Sequence, residues 1–213
     1  MSKARGRPLD KDRIKRDKLL ELAFQEFSEH DFKNVSIRKL AADVGVSDSL
    51  FIHHFGSKQK LWYEVVDTLI EREFKSLIAQ YKQLSMPTQS FDLLRENIAE
   101  LFRLAKLRPA MFRLFFRELN SDSERADYLK RKYLHPYLLL FDAAIDLCIK
   151  RGDIKPLNPL TLHTLLLGSI NILINPGLLK PGLNFADEQQ DLDSVVAEEL
   201  VDTIFNGATS ART

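Results

Sequence analysis

Between Ser36 and Lys58 the chain sets hydroxyls, imidazoles and cations close together: Ser36, Arg38, Ser47, Ser49, His53, His54 and Lys58, with Asp48, Leu50 and Ile52 among them. These groups donate hydrogen bonds to phosphate oxygens and base edges. They do not form a bond-breaking set. There is no Ser/His/Asp arrangement, no carboxylate pair in a plausible cleft, no glycine loop for phosphate and no metal-ligand spacing, so no enzymatic activity, cofactor or metal is expected. His53 and His54 are adjacent, so on a helix they point about 100° apart, which is unsuited to joint metal binding.

Such donors act only if short helices aim them. Apolar spacing follows three and four rather than two, and nothing reads as a strand. A first helix is expected from Asp10 or Lys11 to Glu29, with Leu19, Leu20, Ala23, Phe24 and Phe27 on one side. Ser36 is a good N-cap for a second, whose stripe is Ile37, Leu40, Ala41 and Val44. Gly45 permits a sharp turn, and small Ala41 lets the two helices approach. Ser47 caps a third, short helix with Phe51 and Phe55 inward. Its other face, Asp48, Ser49, Ile52 and His53, is then open to enter a major groove about 12 Å wide. Ser57 caps a fourth helix through Trp62, Val65, Val66, Leu69, Ile70, Phe74 and Ile78, and Lys58 at its start can hold a phosphate beside the terminal amides. The fold class is all-α: a three-helix helix-turn-helix followed by a helical body.

The stretch from Ile14 to Leu61 resembles the DNA-binding domain of the TetR family of transcriptional regulators. The matching residues are Ala23-Phe24, Phe27, the run Val35 to Ala42, the Gly45-Val46-Ser47 turn and His54-Phe55-Gly56-Ser57-Lys58. The resemblance implies a regulator, commonly a repressor, that binds a palindromic operator in double-stranded DNA as a homodimer and is released by a small-molecule effector. It further implies that Ser36 touches phosphate as well as capping its helix, that Arg38 reaches base edges, and that His54 is the family's histidine. One departure stands out. The family's Leu-Tyr-Tyr-His-Phe type segment is Phe51-Ile52-His53-His54-Phe55 here, so Ile52 lacks a phosphate-donating hydroxyl, and Leu50 replaces a small or polar residue. Apolar contact with thymine methyls and histidine donors are the expected substitutes. Asp48 either accepts from a cytosine amino group or complements the helix dipole.

Charge supports a basic head. Residues 1–60 carry 13 Lys and Arg against 9 Asp and Glu, a net +4, whereas the whole chain is +1. The leading Arg5-Gly6-Arg7-Pro8 is either a minor-groove arm, through Arg5 and Arg7, or a free tail. The single cysteine, Cys148, fits a reducing bacterial cytoplasm and a core position. The charged N-terminus lacks an apolar signal region, and the most apolar run, Leu160 to Ile174, is too short to span a bilayer. The expected location is cytoplasmic, with nucleoid association when bound.

In the body, helices are expected from Ser90, from Pro109, from about Ser123 to Arg151 with Pro136 kinking or interrupting it, and from Asn158-Pro159 to Ile174. Met86-Pro87 marks a break, the segment after Pro176 a loop, and Leu192 to Phe205 the last helix. The run at 159–174 is apolar nearly all round, so it needs cover on more than one side. Pairing with the segment at 191–205 in a four-helix dimer interface supplies that cover, as the family resemblance implies. Phe102, Phe112, Phe115, Phe116, Tyr137 and Phe141, with polar His135, His163 and Asn171, either line an effector site or form plain core. The organisation expected is a basic arm at 1–9, the helix-turn-helix at 10–56 and a regulatory and dimerisation domain at 57–213. The competing reading is a helical ligand-binding or interaction protein with weak or lost DNA binding, motivated by Asp48 and Ile52.

Overall fold

The computed structural model describes residues 9–71 and 90–175, with single positions 75, 79, 177, 199, 202 and 203. The arm with Arg5 and Arg7, Phe74 and Ile78, the break at Met86-Pro87 and most of the segment 176–205 lie outside the described residues. Among the described residues there is no strand, and the architecture is all-α, as expected.

The chain divides into two compact units, Met1–Arg72 and Glu73–Thr213. The first contains α1 (Leu9–Glu29), a single 3-10 turn (Phe32–Asn34), α2 (Ile37–Val44), α3 (Asp48–Phe55) and α4 (Lys58–Leu69). α1 packs on both α2 and α4, and α3 packs on α2 and α4. The common core is Leu19, Leu20, Ala23 and Phe27 of α1, Leu40 and Ala41 of α2, Phe51 and Phe55 of α3, and Leu61, Trp62, Val65 and Val66 of α4. α4 buries its apolar stripe against α1 and belongs to the head.

The ends of these helices follow from their residues. Ser36 is extended, and its Oγ accepts the Lys39 N–H at 3.3 Å. Gly45 takes φ 72°, the left-handed region that costs a residue with a Cβ, and the Val46 N–H reaches back to the Ala41 carbonyl at 2.9 Å. Gly56, also at φ 72°, turns the chain from α3 into α4, where Ser57 Oγ accepts the Lys60 N–H at 3.1 Å.

The second unit contains α5 (Ser90–Leu107), α6 (Pro109–Leu119), α7 (Glu124–Leu129), α8 (His135–Arg151) and α9 (Pro159–Ile174). α5 is the hub, packing on α6, α8 and α9, and α6 also meets α7 and α9. Pro136 neither breaks the long pattern nor leaves it a plain α-helix. Residues Lys130–Leu134 widen into a π turn between α7 and α8, on continuous right-handed backbone. Proline has no N–H to donate, so the ladder loses a bond just before it, and the wider turn absorbs the change. Asn158 caps α9 through Oδ1, which accepts the Leu160 N–H at 2.9 Å, with Pro159 in the first turn.

No helix among the described residues is long and apolar enough to cross a membrane. α9 is predominantly apolar but only half covered. Leu162, Leu166, Ile170 and Ile174 are buried, whereas Leu160, Leu165 and Ile172 are 70%, 48% and 41% exposed.

Candidate nucleic-acid interface

α3 divides cleanly by face. Phe51 and Phe55 are buried to 1% and 5% exposure, with ring centroids 5.2 Å apart. Ile52 is 60% exposed, and Ser49, His53 and His54 are exposed beside it. The inward phenylalanines fix the rotation of the helix, and that rotation puts the remaining residues outward. Asp48 and Leu50 stand in α3, and their side chains are outside the described set. Ser47 and Ser49 hold each other, Oγ to Oγ at 2.9 Å, at the start of the helix. The rings of His53 and His54 lie 5.6 Å apart and tilted by 53°. Among the described residues no cluster of three metal-ligating side chains occurs.

The flanking groups divide by how their charge is used. Lys39 donates to Glu26 Oε1 at 2.6 Å, and the hydrogen bond and charge of Glu26 raise its pKa. Arg16 of α1 pairs with Glu64 of α4 and lies over the Phe55 ring at 5.8 Å. Arg38, next to Lys39, is exposed, and among the described residues it has no ion-pair partner. Lys58 Nζ donates to the Lys33 carbonyl at 3.2 Å and sits 4.7 Å over the Phe32 ring. Ser36 remains exposed while capping α2. Ser36, Arg38, Ser47, Ser49, Ile52, His53 and His54 are thus all at the surface of one compact unit. The Lys58 contacts with Phe32 and Lys33 and the Lys39–Glu26 pair escaped the sequence, because each joins residues at least 13 positions apart.

Residues 19–65 match the pattern of "Bacterial regulatory proteins, tetR family". Over this span the head resembles the bacterial regulatory proteins of the tetR family. The matched span covers most of α1, the helix-turn-helix and the first eight residues of α4, all within the first compact unit. The chain is similar to the HTH-type transcriptional regulatory protein RaaS of Mycobacterium tuberculosis, 29% identical over 139 residues, which is 65% of this chain and 59% of that protein. The match therefore spans about three fifths of the length of that curated relative. Its fold is similar to that of the TetR family regulator PfmR from Thermus thermophilus, with TM-score 0.67 at 20% identity over 93% of this chain and 98% of the other. A tetR-family regulatory protein from Rhodococcus gives TM-score 0.70 at 15% identity, over 92% and 98%.

The nine residues considered for an effector site fall into three groups. Phe102, Phe112, Phe115, Tyr137 and Phe141 are buried in the second unit, and Phe116 is half-buried. His163 lies 5.3 Å from the Phe141 ring, with Nε2 2.7 Å from Asp142 Oδ1, and Asn171 is tied to Asn175 Nδ2 through its carbonyl and side-chain oxygens at 3.0 and 3.2 Å. His135 is exposed at the start of α8, so it does not share the buried surroundings of the aromatics. Two buried polar residues on these helices were not among the candidates. Asn97 lies in the α5 core, and Glu118 ends α6, where its carboxylate takes the Ser121 and Ser123 hydroxyls at 3.1 and 2.8 Å and pairs with Arg125 at 2.9 Å.

Proposed function

We propose that this chain is a transcriptional regulator that binds operator DNA as a homodimer and is released by a small-molecule effector, most simply as a repressor. The observation that carries the reading is the two-faced α3, with Phe51 and Phe55 buried and Ser49, Ile52 and His53 turned to solvent. In this reading α3 enters the major groove. Ile52 packs on a thymine methyl, and Ser49, His53 and Arg38 reach base edges. Ser36, Ser47, His54 and Lys58 hold the backbone, and Arg5 and Arg7 follow the minor groove. Leu50 and Asp48 stand in the same helix.

The half-covered α9 supports the dimer. Thr161, Leu165, Gly168 and Ile172 share one exposed stripe opposite the buried Leu162, Leu166, Ile170 and Ile174. A second copy, joined by the segment 191–205, would cover that stripe, and Gly168 would allow close approach. The buried aromatics of the second unit support an apolar effector. α4 ends at Leu69, near the division between the units, and is the element expected to carry a change from one to the other. An effector of this kind must favour the DNA-incompetent form, typically by about 1–3 kcal/mol.

Selection of genomic fragments bound by the full chain, followed by footprinting, tests the reading. The expected result is a palindrome with half-sites about one helical turn apart, roughly 34–36 Å. Recovery of no fragment above background would leave the helical ligand-binding protein as the better reading.

A further inference from the structure

Three helices of the head meet at the side chain of Arg16. The residue stands in α1, its guanidinium pairs with Glu64 of α4, and its Cζ lies 5.8 Å from the centroid of the Phe55 ring in α3. Phe55 is the last residue of α3, and Gly56 at φ 72° turns the chain toward α4 directly after it. The same ring lies 5.2 Å from that of Phe51 and 6.3 Å from the outward His54 imidazole. One cation thus bridges α1 and α4 at the end of the helix that carries the exposed donors.

The chemistry suits a clamp. A helix of eight residues has little stability of its own, so the pose of α3 is set by what its side chains meet. A guanidinium is planar and engages a carboxylate through its N–H edge while offering its face to a ring. Glu64 Oε1 is shut off from solvent, which makes a neighbouring cation the natural complement to its charge. The Arg16 and Glu64 side chains as a whole are 45% and 26% exposed, too open for the pair to be a main source of stability. Its effect is geometric: it ties the Phe55 end of α3 to both flanking helices.

We propose that Arg16 is a positioning residue for base recognition: by joining Glu64 to the Phe55 ring it fixes the C-terminal end of α3, and with it His53 and His54, on the head. The proposal rests on the DNA-binding reading above. It also reverses the sign that simple electrostatics gives for Glu64. Removing a negative charge from a DNA-binding head should tighten binding through the phosphates. Removing the anchor of the clamp should loosen it.

The test uses the full chain and two fluorescent duplexes, one from upstream of its own coding sequence and one with that sequence shuffled, read by anisotropy. Arg16→Met and Glu64→Gln are each expected to weaken binding to the upstream duplex about tenfold per dimer, the size of two lost pairs. Glu64→Gln should not weaken binding to the shuffled duplex, where no base readout is at stake. The two substitutions combined should cost no more than either alone, because they break one clamp. Thermal melting of each variant reports whether the head stays folded. A second measurement needs no DNA: the amides of Ile52, His53, His54 and Phe55 should exchange about fivefold faster in both variants, with those of α2 unchanged. A Glu64→Gln variant that binds the upstream duplex as tightly as the wild type, or more tightly, overturns the proposal alone. So does unaltered exchange at the end of α3. Equal weakening of both duplexes by Arg16→Met, with Glu64→Gln indifferent, makes Arg16 a phosphate contact and overturns it as well. A wild type with no preference for the upstream duplex overturns the DNA reading together with it.

Discussion

Arg38 and Lys39 are neighbours with opposite situations. Lys39 is tied to Glu26 across the α1–α2 contact, while Arg38 is exposed without a described ion-pair partner. Truncating the two should therefore separate binding from stability. Arg38→Ala is expected to leave the melting temperature nearly unchanged, within about 0.5 kcal/mol, because it removes no buried contact. The same change should weaken operator binding by roughly 1–3 kcal/mol, the worth of a base-reading pair. Parallel melting and anisotropy titrations check this. Cys148 gives a second residue-scale prediction. It is fully buried in α8, and desolvation pushes its thiol up to about 11 from an ordinary 9.0. The folded state therefore holds this proton more tightly than the unfolded one. The associated stability is complete below about pH 9 and fades as pH rises through about 11. Denaturation midpoints across that window should fall, and Cys148→Ala should flatten the fall. At neutral pH the thiol should react with thiol reagents only as fast as the second unit opens.

At the scale of elements, the helix-turn-helix rests on a few local devices. Gly45 needs its positive φ, although a Cβ there would meet nothing within 4 Å. Gly45→Ala should thus cost about 1 kcal/mol through backbone strain alone. Ser57→Ala removes the cap of α4 and should cost about 1 kcal/mol. Phe51→Ala empties the site that sets the rotation of α3. It should cost about 3–5 kcal/mol and abolish DNA binding with it. Chemical denaturation of each variant measures these costs, and a Phe51→Ala cost near zero would contradict the assigned packing.

These same elements explain what the sequence could and could not reveal. Ser36, Gly45, Ser57, Asn158 and Gly152 act on backbone within a few residues, so their roles were legible in the one-dimensional pattern. The inward set Leu40, Ala41, Phe51 and Phe55 was equally legible, because helical period alone separates the faces. The π turn at Lys130–Leu134 was not. Pro136 announced a disturbance but not whether the helix would bend, stop or widen. The Lys58–Phe32 contact, the Lys39–Glu26 pair and the burial of Asn97 were also hidden, since each depends on tertiary packing between separate elements. Only packing reveals that α4 shares its core with α1.

At the scale of the whole molecule, the exposed stripe of α9 predicts association. Leu165→Glu places a charge at the centre of that stripe, away from the buried face, so the protomer should stay folded. Light scattering should show the wild type as a dimer and this variant as a monomer. Its operator affinity should collapse, since one head then reads half a site. A wild-type monomer at working concentration would remove the twofold arrangement.

The most direct measurement is the salt dependence of full-chain binding to a duplex from its own upstream region. A dimer that neutralises roughly eight phosphates should give log K falling against log salt with a slope near −7. A slope near zero, or no binding at 50 mM salt, would contradict the claim that the exposed face of α3 and the cations around it meet DNA.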